Sequence, residues 1–449
     1  MLSFAIGCSQ LVEVEMPADQ LITSSIYADD VTAIAALRGL YASTMSSTRA
    51  ISNAGVSLMC GLSAGELKTV RPNADYDPFM ENEVLPESYV ISTLTWAPAY
   101  KTIYQANDLI EKSQQSHSLK PGTVRQITGE ALLVRSLNFF YLTNLFGAVP
   151  LTLTTDYRTN TALQRSNTQD IYDQIERDLL VAADLLPAEY PSPDRMRANR
   201  WAAKSLLARL YLYQGKWQEA IGQASAVIED GGYKLELTGR TFLSESKETI
   251  LQFGAVGQYN LSTGAGQTFI PGFDVVPNYQ VSSRLLSAYQ STDKRLQDWF
   301  LTLSLNGQNY SIPFKYKLNT SSGSRPEANI VFRLAELYLI RAEAYIQQSQ
   351  IAEAVHDLNQ LRGRADISLL DASGLTTEQL LEAVSLERQR ELCIEWGHRW
   401  FDLKRMGLLD AQMNNIAPET WKPEKALYPI PSAERLSNPF LTQNPGYDD

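Results

Sequence analysis

The sequence predicts a mainly α-helical protein: a tetratricopeptide-like helical-repeat scaffold carrying a loop-rich, irregular half suited to ligand binding. Three observations lead there. Apolar residues recur at helical spacing through most of the 449 residues. Two helix pairs repeat one another at matched offsets. One long stretch, 232–329, abandons that periodicity for Gly, Ser, Thr and Asn.

The first helix is expected over Asp29 to Met45, where Ile34, Leu37, Leu40 and Tyr41 share a face beneath a Tyr-Ala-Asp-Asp start that offers an N-cap. The same spacing predicts helices over Leu94 to Lys112, Val124 to Phe146, Thr168 to Leu186, Arg200 to Gln214 and Trp217 to Ile228. It predicts three more over Phe332 to Gln347, Ile351 to Arg364 and Thr377 to Met406. Phe146-Gly147, Leu186-Pro187 and Gly231-Gly232 break the chain between them. Ala208, Tyr211 and Ala220 sit at the same offsets as Ala342, Tyr345 and Ala354. Small residues are needed where paired helices approach closely, and the offsets fit a tetratricopeptide period of about 34 residues. Such hairpins bury their faces only by stacking, which implies a scaffold of several.

A chain of 449 residues needs either two domains or one core of stacked repeats. The repeats favour the second, with the scaffold at about 21–230 and 330–449 of a single unit spanning 21–449. Within the variable region, 232–329, Ile250 to Phe253 reads as a short strand and Ser282 to Gln290 as its one clear helix. A second loop-rich stretch, Ser46 to Pro86, carries Asp75-Tyr76-Asp77-Pro78-Phe79. Long irregular segments in a compact protein are commonly functional, so both are expected to build a binding face.

Composition narrows the function. A net charge of −11, from 50 acidic against 39 basic residues and no basic cluster, repels phosphate backbones and argues against nucleic acid. Three Cys and three His leave little for a metal centre, a thiol nucleophile or a His-based acid/base pair, so neither cofactor, metal nor catalysis is expected. The 22 Tyr and 7 Trp supply rings that stack on flat polar ligands, besides filling the core. Cys60 and Cys393 read as small buried residues. No run of ~18 or more apolar residues is present to span a bilayer.

At the N-terminus, Leu2-Ser3-Phe4-Ala5-Ile6-Gly7 precedes Cys8, which this segment leaves open either as the cysteine of a lipoprotein signal, whose thiol takes a diacylglyceryl group, or as a buried structural residue. A basic n-region and ~7–15 apolar residues do not fit ahead of Cys8, so the signal is expected to be cut short at its start. Residues 1–20 then read as signal remnant and polar tether.

The C-terminal third carries the most specific motifs. Phe332-Arg333-Leu334-Ala335-Glu336-Leu337-Tyr338 continues into Arg341-Ala342-Glu343-Ala344. Glu387-Arg388-Gln389-Arg390-Glu391-Leu392 leads to Glu395-Trp396-Gly397-His398-Arg399-Trp400-Phe401-Asp402-Leu403, and Pro429-Ile430-Pro431 and Gln443-Asn444-Pro445-Gly446-Tyr447 close the chain. Upstream lie Trp96, Tyr100, Ala106 and Asn107, then Gly129-Glu130-Ala131 with Arg135, Phe146-Gly147 and Val149-Pro150-Leu151. In this order they resemble the SusD/RagB family from the Cys8 region to Tyr447.

On a continuous helix from Thr377 to Met406, Leu386, Ile394, Gly397, Trp400 and Phe401 form an inward stripe. Glu395 with Arg399 and His398 with Asp402 are i,i+4 pairs there, worth roughly 0.2–0.5 kcal/mol each if exposed. Glu387, Glu391 and Glu395 line one side with Arg388, Arg390 and Arg399 available to them. A glycosidase needs two carboxylates facing across ~5–9.5 Å from different elements, which one helix does not offer. His398 reads as structural.

The resemblance implies an outer-membrane lipoprotein anchored through Cys8 at the cell surface. Its partner would be a TonB-dependent, SusC-like transporter, to which it delivers oligosaccharide; peptide capture of the RagB kind, or a repeat-based assembly role without a small ligand, are the alternatives. The binding residues are expected in the variable loops: Asp75, Tyr76 and Phe79 in the first, and Tyr259, Phe273, Tyr279, Trp299 and Tyr310 in the second.

Overall fold

The computed structural model describes residues 23–447 apart from 46, 48, 257–260, 322, 323 and 325. Helix α1 (Asp30–Thr44) opens on Asp29, whose carboxylate accepts from the Val31 and Thr32 amides at 2.8 and 2.9 Å, satisfying two donors the helix start would leave unpaired. A π-helical turn, Ile51–Gly55, leads into α2 (Val56–Ser63), and β1 (Leu67–Thr69) follows. A second π-helical segment, Val90–Trp96, runs into α3 (Ala97–Gln115), and α4 (Pro121–Phe146) is buried at every residue from Ile127 onward. Arg135 of α4 clamps Asp178 of α5 (Thr168–Leu185) through two bonds of 2.8 Å and reaches Asn107 of α3 at 2.7 Å. Two family-like motif positions, Asn107 and Arg135, therefore join with Asp178 in one buried joint.

The first repeat hairpin is α6 (Arg200–Gln214) and α7 (Trp217–Asp230), turned at Gly215, whose φ of 68° favours a residue without Cβ. Strand β2 (Thr249–Phe253), helix α8 (Gly264–Phe269), β3 (Tyr279–Val281) and the hairpin β4 (Phe300–Leu305) with β5 (Gln308–Pro313) lie within 232–329, the variable half, and β6 (Asn329–Arg333) follows at its end. Among the described residues the sheets are two-stranded and antiparallel: β1 with β3, β2 with β6, β4 with β5, and the short Val149–Pro150 with Arg165–Ser166. The second repeat hairpin, α9 (Leu334–Gln347) and α10 (Ile351–Arg364), packs on the first through α7 and α9. Ala208, Ala220, Ala342 and Ala354 are wholly buried, the small residues the close approach requires. Arg209 and Glu336 tie the hairpins together at 2.6 and 2.7 Å. Then come α11 (Thr377–Leu392), closed at its start by a Thr376/Gln379 capping box, and α12 (His398–Arg405). The chain ending folds back on α4: the Tyr428 amide donates to Leu145 O at 2.8 Å and Asn444 Nδ2 to Phe146 O at 2.9 Å.

The variable half is fastened to the scaffold by a buried ionic cluster. Glu391 accepts from Arg295 at 3.0 Å, from Arg333 at 2.5 Å and from Arg364. Arg333 also reaches Glu248 at 2.9 Å and Glu395 at 2.8 Å, Arg295 reaches Asp293 at 2.8 Å and Glu387 at 2.6 Å, and Lys315 meets Glu395 at 2.5 Å. Burial alone would raise the Glu391 carboxyl, but Arg364, Arg333 and Arg295 outweigh it and hold it well below the usual carboxylate range.

Several sequence expectations are corrected here. Residues 377–406 are not one helix. The chain leaves α11 at Cys393, and Ile394, Trp396 and Gly397 all take positive φ (54°, 46° and 71°). Tertiary bonds replace the helical ones: Ile394 N to Glu66 Oε2 at 3.0 Å, Trp396 N to Ser57 Oγ at 2.8 Å, Trp396 Nε1 to Ile330 O at 2.7 Å. The expected i,i+4 pairs do not form, because Glu395 serves Arg333 and Lys315 while Asp402 serves Arg388 and Arg405 at 2.8 Å each. Of the three arginines expected beside Glu387, Glu391 and Glu395, only Arg390 makes such a pair, to Glu387 at 3.6 Å. Leu386 faces out, whereas Ile394, Gly397, Trp400 and Phe401 are buried. Within the stretch Ser46 to Pro86, α2 is a fully buried helix; with no exposed face it has no amphipathic period to read. Phe332 and Arg333 end a strand rather than begin a helix. The Ser282 to Gln290 helix is short, Ser283–Ser287 with Ser282 as its cap. Hairpin β4/β5 went unpredicted, although Asn306-Gly307 between alternating residues is a strong hairpin signal; both take positive φ (53° and 75°).

Candidate ligand-binding site

Strands β1 and β3 pair with Thr69 opposite Tyr279, and the next rung, the Val70 amide on Asn278 O at 2.9 Å, sets Arg71 beside Asn278. Helix α8 forms the facing wall. Thr263 caps it, accepting the Gly266 amide at 3.0 Å, and Asn53 Oδ1 takes the Gly264 amide at 3.0 Å. A Cβ on Gly266 would stand 2.1 Å from Leu318 O, so only glycine permits this approach. Between the walls lies a polar cleft of about 370 Å³ lined by Arg71, Gln267, Asn278 and Asn319 over Phe269 and Val276. Asn319 Nδ2 donates to Pro271 O at 3.2 Å and so anchors the loop that overhangs the cleft. At the loop tip Asp274 adopts φ 58°, strained for a residue with a Cβ, and Phe273 is 102% exposed. The ring is fully solvated at the tip of the loop whose base, Pro271, Gly272, Val275 and Val276, lines the cleft, and it offers an apolar face of the kind that stacks on a sugar.

Of the residues expected to bind ligand, Phe273 stands at this loop and Asp75 is exposed, its amide held by Asn73 Oδ1 at 3.2 Å. The structure moves five others inside. Tyr279, fully buried, meets Tyr76 at 5.9 Å and Phe269 at 6.2 Å between ring centroids, and Tyr76 meets Phe79 at 6.0 Å. Burial pushes the Tyr279 hydroxyl up to about 12. Trp299, 1% exposed, donates to Thr238 O at 2.9 Å and lies under the Lys315 ammonium, 4.4 Å from its ring centroid. Tyr310 is buried in β5, its hydroxyl on Gln308 at 2.9 Å. Aromatic side chains without exposed faces cannot stack on a ligand; Tyr76, Phe79 and Tyr279 make the platform beneath the cleft, and Trp299 and Tyr310 pack elsewhere. Tyr259 and Cys8 lie outside the described residues. Arg71, Gln267, Asn278 and Asn319 were missed, because single polar residues in loops carry no periodic signal; only the Pro271-Gly272 turn marks the place.

The carboxylates of the C-terminal motifs are occupied by arginines in the interior. His398 is buried and held well below its ordinary value, by burial first and then by Arg209, Arg388, Arg333 and Lys315, so its imidazole is neutral at pH 7. Burial likewise pushes the thiols up, Cys60 to about 12 and Cys393 to about 11. No helix among the described residues is long and apolar enough to cross a membrane.

Comparison with known proteins agrees with this architecture. Residues 63–212 match a family model described as "Starch-binding associating with outer membrane", and residues 265–447 match one described as "SusD family". The chain is 25% identical to SusD-like protein P2 of Formosa agariphila, over 100% of its own length and 98% of the relative's. Its fold matches the crystal structure of a SusD superfamily protein from Bacteroides vulgatus with a TM-score of 0.81 and 20% identity, covering 93% of this chain and 99% of that one. A laminarin-binding SusD-like protein superposes with a TM-score of 0.78 at 24% identity, covering 94% of this chain and 100% of the other.

Proposed function

The chain belongs to the SusD/RagB family, and from that membership we propose that it is a cell-surface lipoprotein that captures oligosaccharide and delivers it to a TonB-dependent, SusC-like transporter, without catalysis. The observation that carries this reading is the polar cleft of Arg71, Gln267, Asn278 and Asn319 under a loop that carries the exposed ring of Phe273 at its tip. Amides that both donate and accept, one guanidinium and one flat apolar face are the complement of a neutral sugar. No carboxylate is among the described residues lining the cleft, which favours holding a ligand over an acid/base pair for hydrolysis. On this reading residues 21–449 act as one unit, 232–329 set specificity, and a lipid on Cys8 keeps the unit at the outer membrane with no spanning helix.

Affinity gels containing laminarin or starch test the proposal. Purified protein is expected to be retarded by at least one of them, and Arg71→Ala and Phe273→Ala to relieve the retardation, Phe273→Ala by roughly two- to tenfold in affinity, the worth of one ring contact. Retardation unchanged in both variants, or binding of a mixed peptide pool but no glycan, would overturn it.

A further inference from the structure

A larger cleft, about 720 Å³, opens on the scaffold itself, between the α6–α7 turn and the α11–α12 corner. Its floor is one face of α11, where Glu378, Leu381, Glu382, Ser385 and Gln389 recur at helical spacing; its opposite wall is Tyr213, Gln214 and Trp217. The polar atoms here set it apart. Tyr213 Oη, both amide atoms of Gln214 and Arg399 Nε are shut off from solvent, and none has a hydrogen-bond partner among the described residues. Arg399 donates only to Ser385 Oγ, at 3.3 Å. Just behind, Arg388 spends its Nε on Asp402 at 2.8 Å and leaves both terminal nitrogens without partners. None of the residues lining the Arg71–Asn319 cleft carries such an orphan. Buried polar groups are nearly always satisfied, and Tyr213, Gln214 and Arg399 are each only part-buried, so a small outward turn of these side chains brings the orphaned atoms to a molecule bound in the cleft.

Their chemistry selects the ligand. The Gln214 amide asks for a donor and an acceptor at once, Tyr213 Oη can use either, and Arg399 Nε asks for an acceptor. Closely spaced hydroxyls meet all three demands. An anion would serve Arg399 but not the Gln214 oxygen, and Glu378 and Glu382 at the rim would repel it. The Trp217 indole, with Leu381, Leu386 and Leu408, offers apolar cover for a ring face, and the volume lies in the ordinary range of small-molecule sites. We infer that this cleft is a second carbohydrate site, built on the repeat scaffold and separate from the loop cleft. Two sites on opposite kinds of surface would let one chain hold an extended glycan at two points, or retain a second chain close to the first.

Isothermal titration with laminarihexaose and maltohexaose, alongside crystals soaked in the same sugars, tests this. Wild-type protein is expected to show two binding events with at least one of them. Gln214→Ala and, on the exposed side of α11, Gln389→Ala should each weaken one event by roughly tenfold while leaving the other. Phe273→Ala should do the converse. Isotherms unchanged by Gln214→Ala and Gln389→Ala, or soaked crystals holding only water in the cleft, would overturn the inference. Loss of binding in Gln214→Ala with no effect of Phe273→Ala would uphold it and refute the loop cleft instead.

Discussion

Replacing Glu391 with glutamine takes one negative charge from among three guanidinium groups and leaves the side chain's shape almost unchanged. Glu391 is wholly buried and bonded to Arg295 at 3.0 Å, to Arg333 at 2.5 Å and to Arg364. Removing one partner of a buried ion pair costs about 3–5 kcal/mol, because the charge left behind has neither water nor a counter-ion. Glu248, Glu387 and Glu395 remain to the arginines, which places Glu391→Gln toward the lower end. The entropy of unfolding for a chain of this length is ~0.9 kcal/mol/K, so the melting midpoint should fall by roughly 3–4 °C. Circular dichroism at rising temperature reads this directly. The drop should persist in high salt, since buried pairs are little screened. Adding Arg364→Gln should cost less than the two single changes summed, by about 0.5–3 kcal/mol of coupling. A midpoint within about 1 °C of wild type, or a shift that salt abolishes, would refute the claim that this cluster fastens the variable half to the scaffold.

Two further outcomes follow from the same packing. Trp299→Ala should destabilise by about 3–5 kcal/mol, as deletion of a buried aromatic does, while glycan retention per folded molecule stays at the wild-type level; lost retention without lost stability would return Trp299 to the binding site. Glu66 gives a pH signature. Burial pushes its carboxyl up to about 7, against the Ile394 amide and Arg399 that work to lower it. Since its folded value lies above the ordinary 4.5, the stability it contributes is complete below about pH 4.5 and is lost as pH rises through 7, on the order of 3 kcal/mol in all. Glu66→Gln should flatten that decline between pH 5 and pH 8 in thermal melts; an unchanged slope would show that Glu66 is not its source. Glu391 and Glu395 act with the opposite sign, being held low, so their contribution is lost as pH falls below their ordinary range.

Several features were legible without coordinates because they depend on neighbours in the chain. Asp29 caps α1, apolar spacing set out most of the long helices, the paired alanines of the two hairpins are buried, and the ordered motifs from Trp96 to Tyr447 identified the family. Where an element is buried on all sides, as α2 is, periodicity vanishes and the helix reads as loop. What only the tertiary structure decided is the fate of the aromatic and charged residues. Tyr76, Tyr279 and Trp299 have the composition of a sugar platform, yet partners distant in sequence close over them. Helical spacing puts Glu391 and Glu395 on one side, but long-range bonds to Ser57, Glu66 and Ile330 bend the chain at Cys393–Gly397 and send Glu395 to Lys315 and Arg333. Local spacing determines which face a side chain takes on its own element; whether that face meets water, a ligand or another wall of protein is set by contacts hundreds of residues apart, which no local pattern encodes.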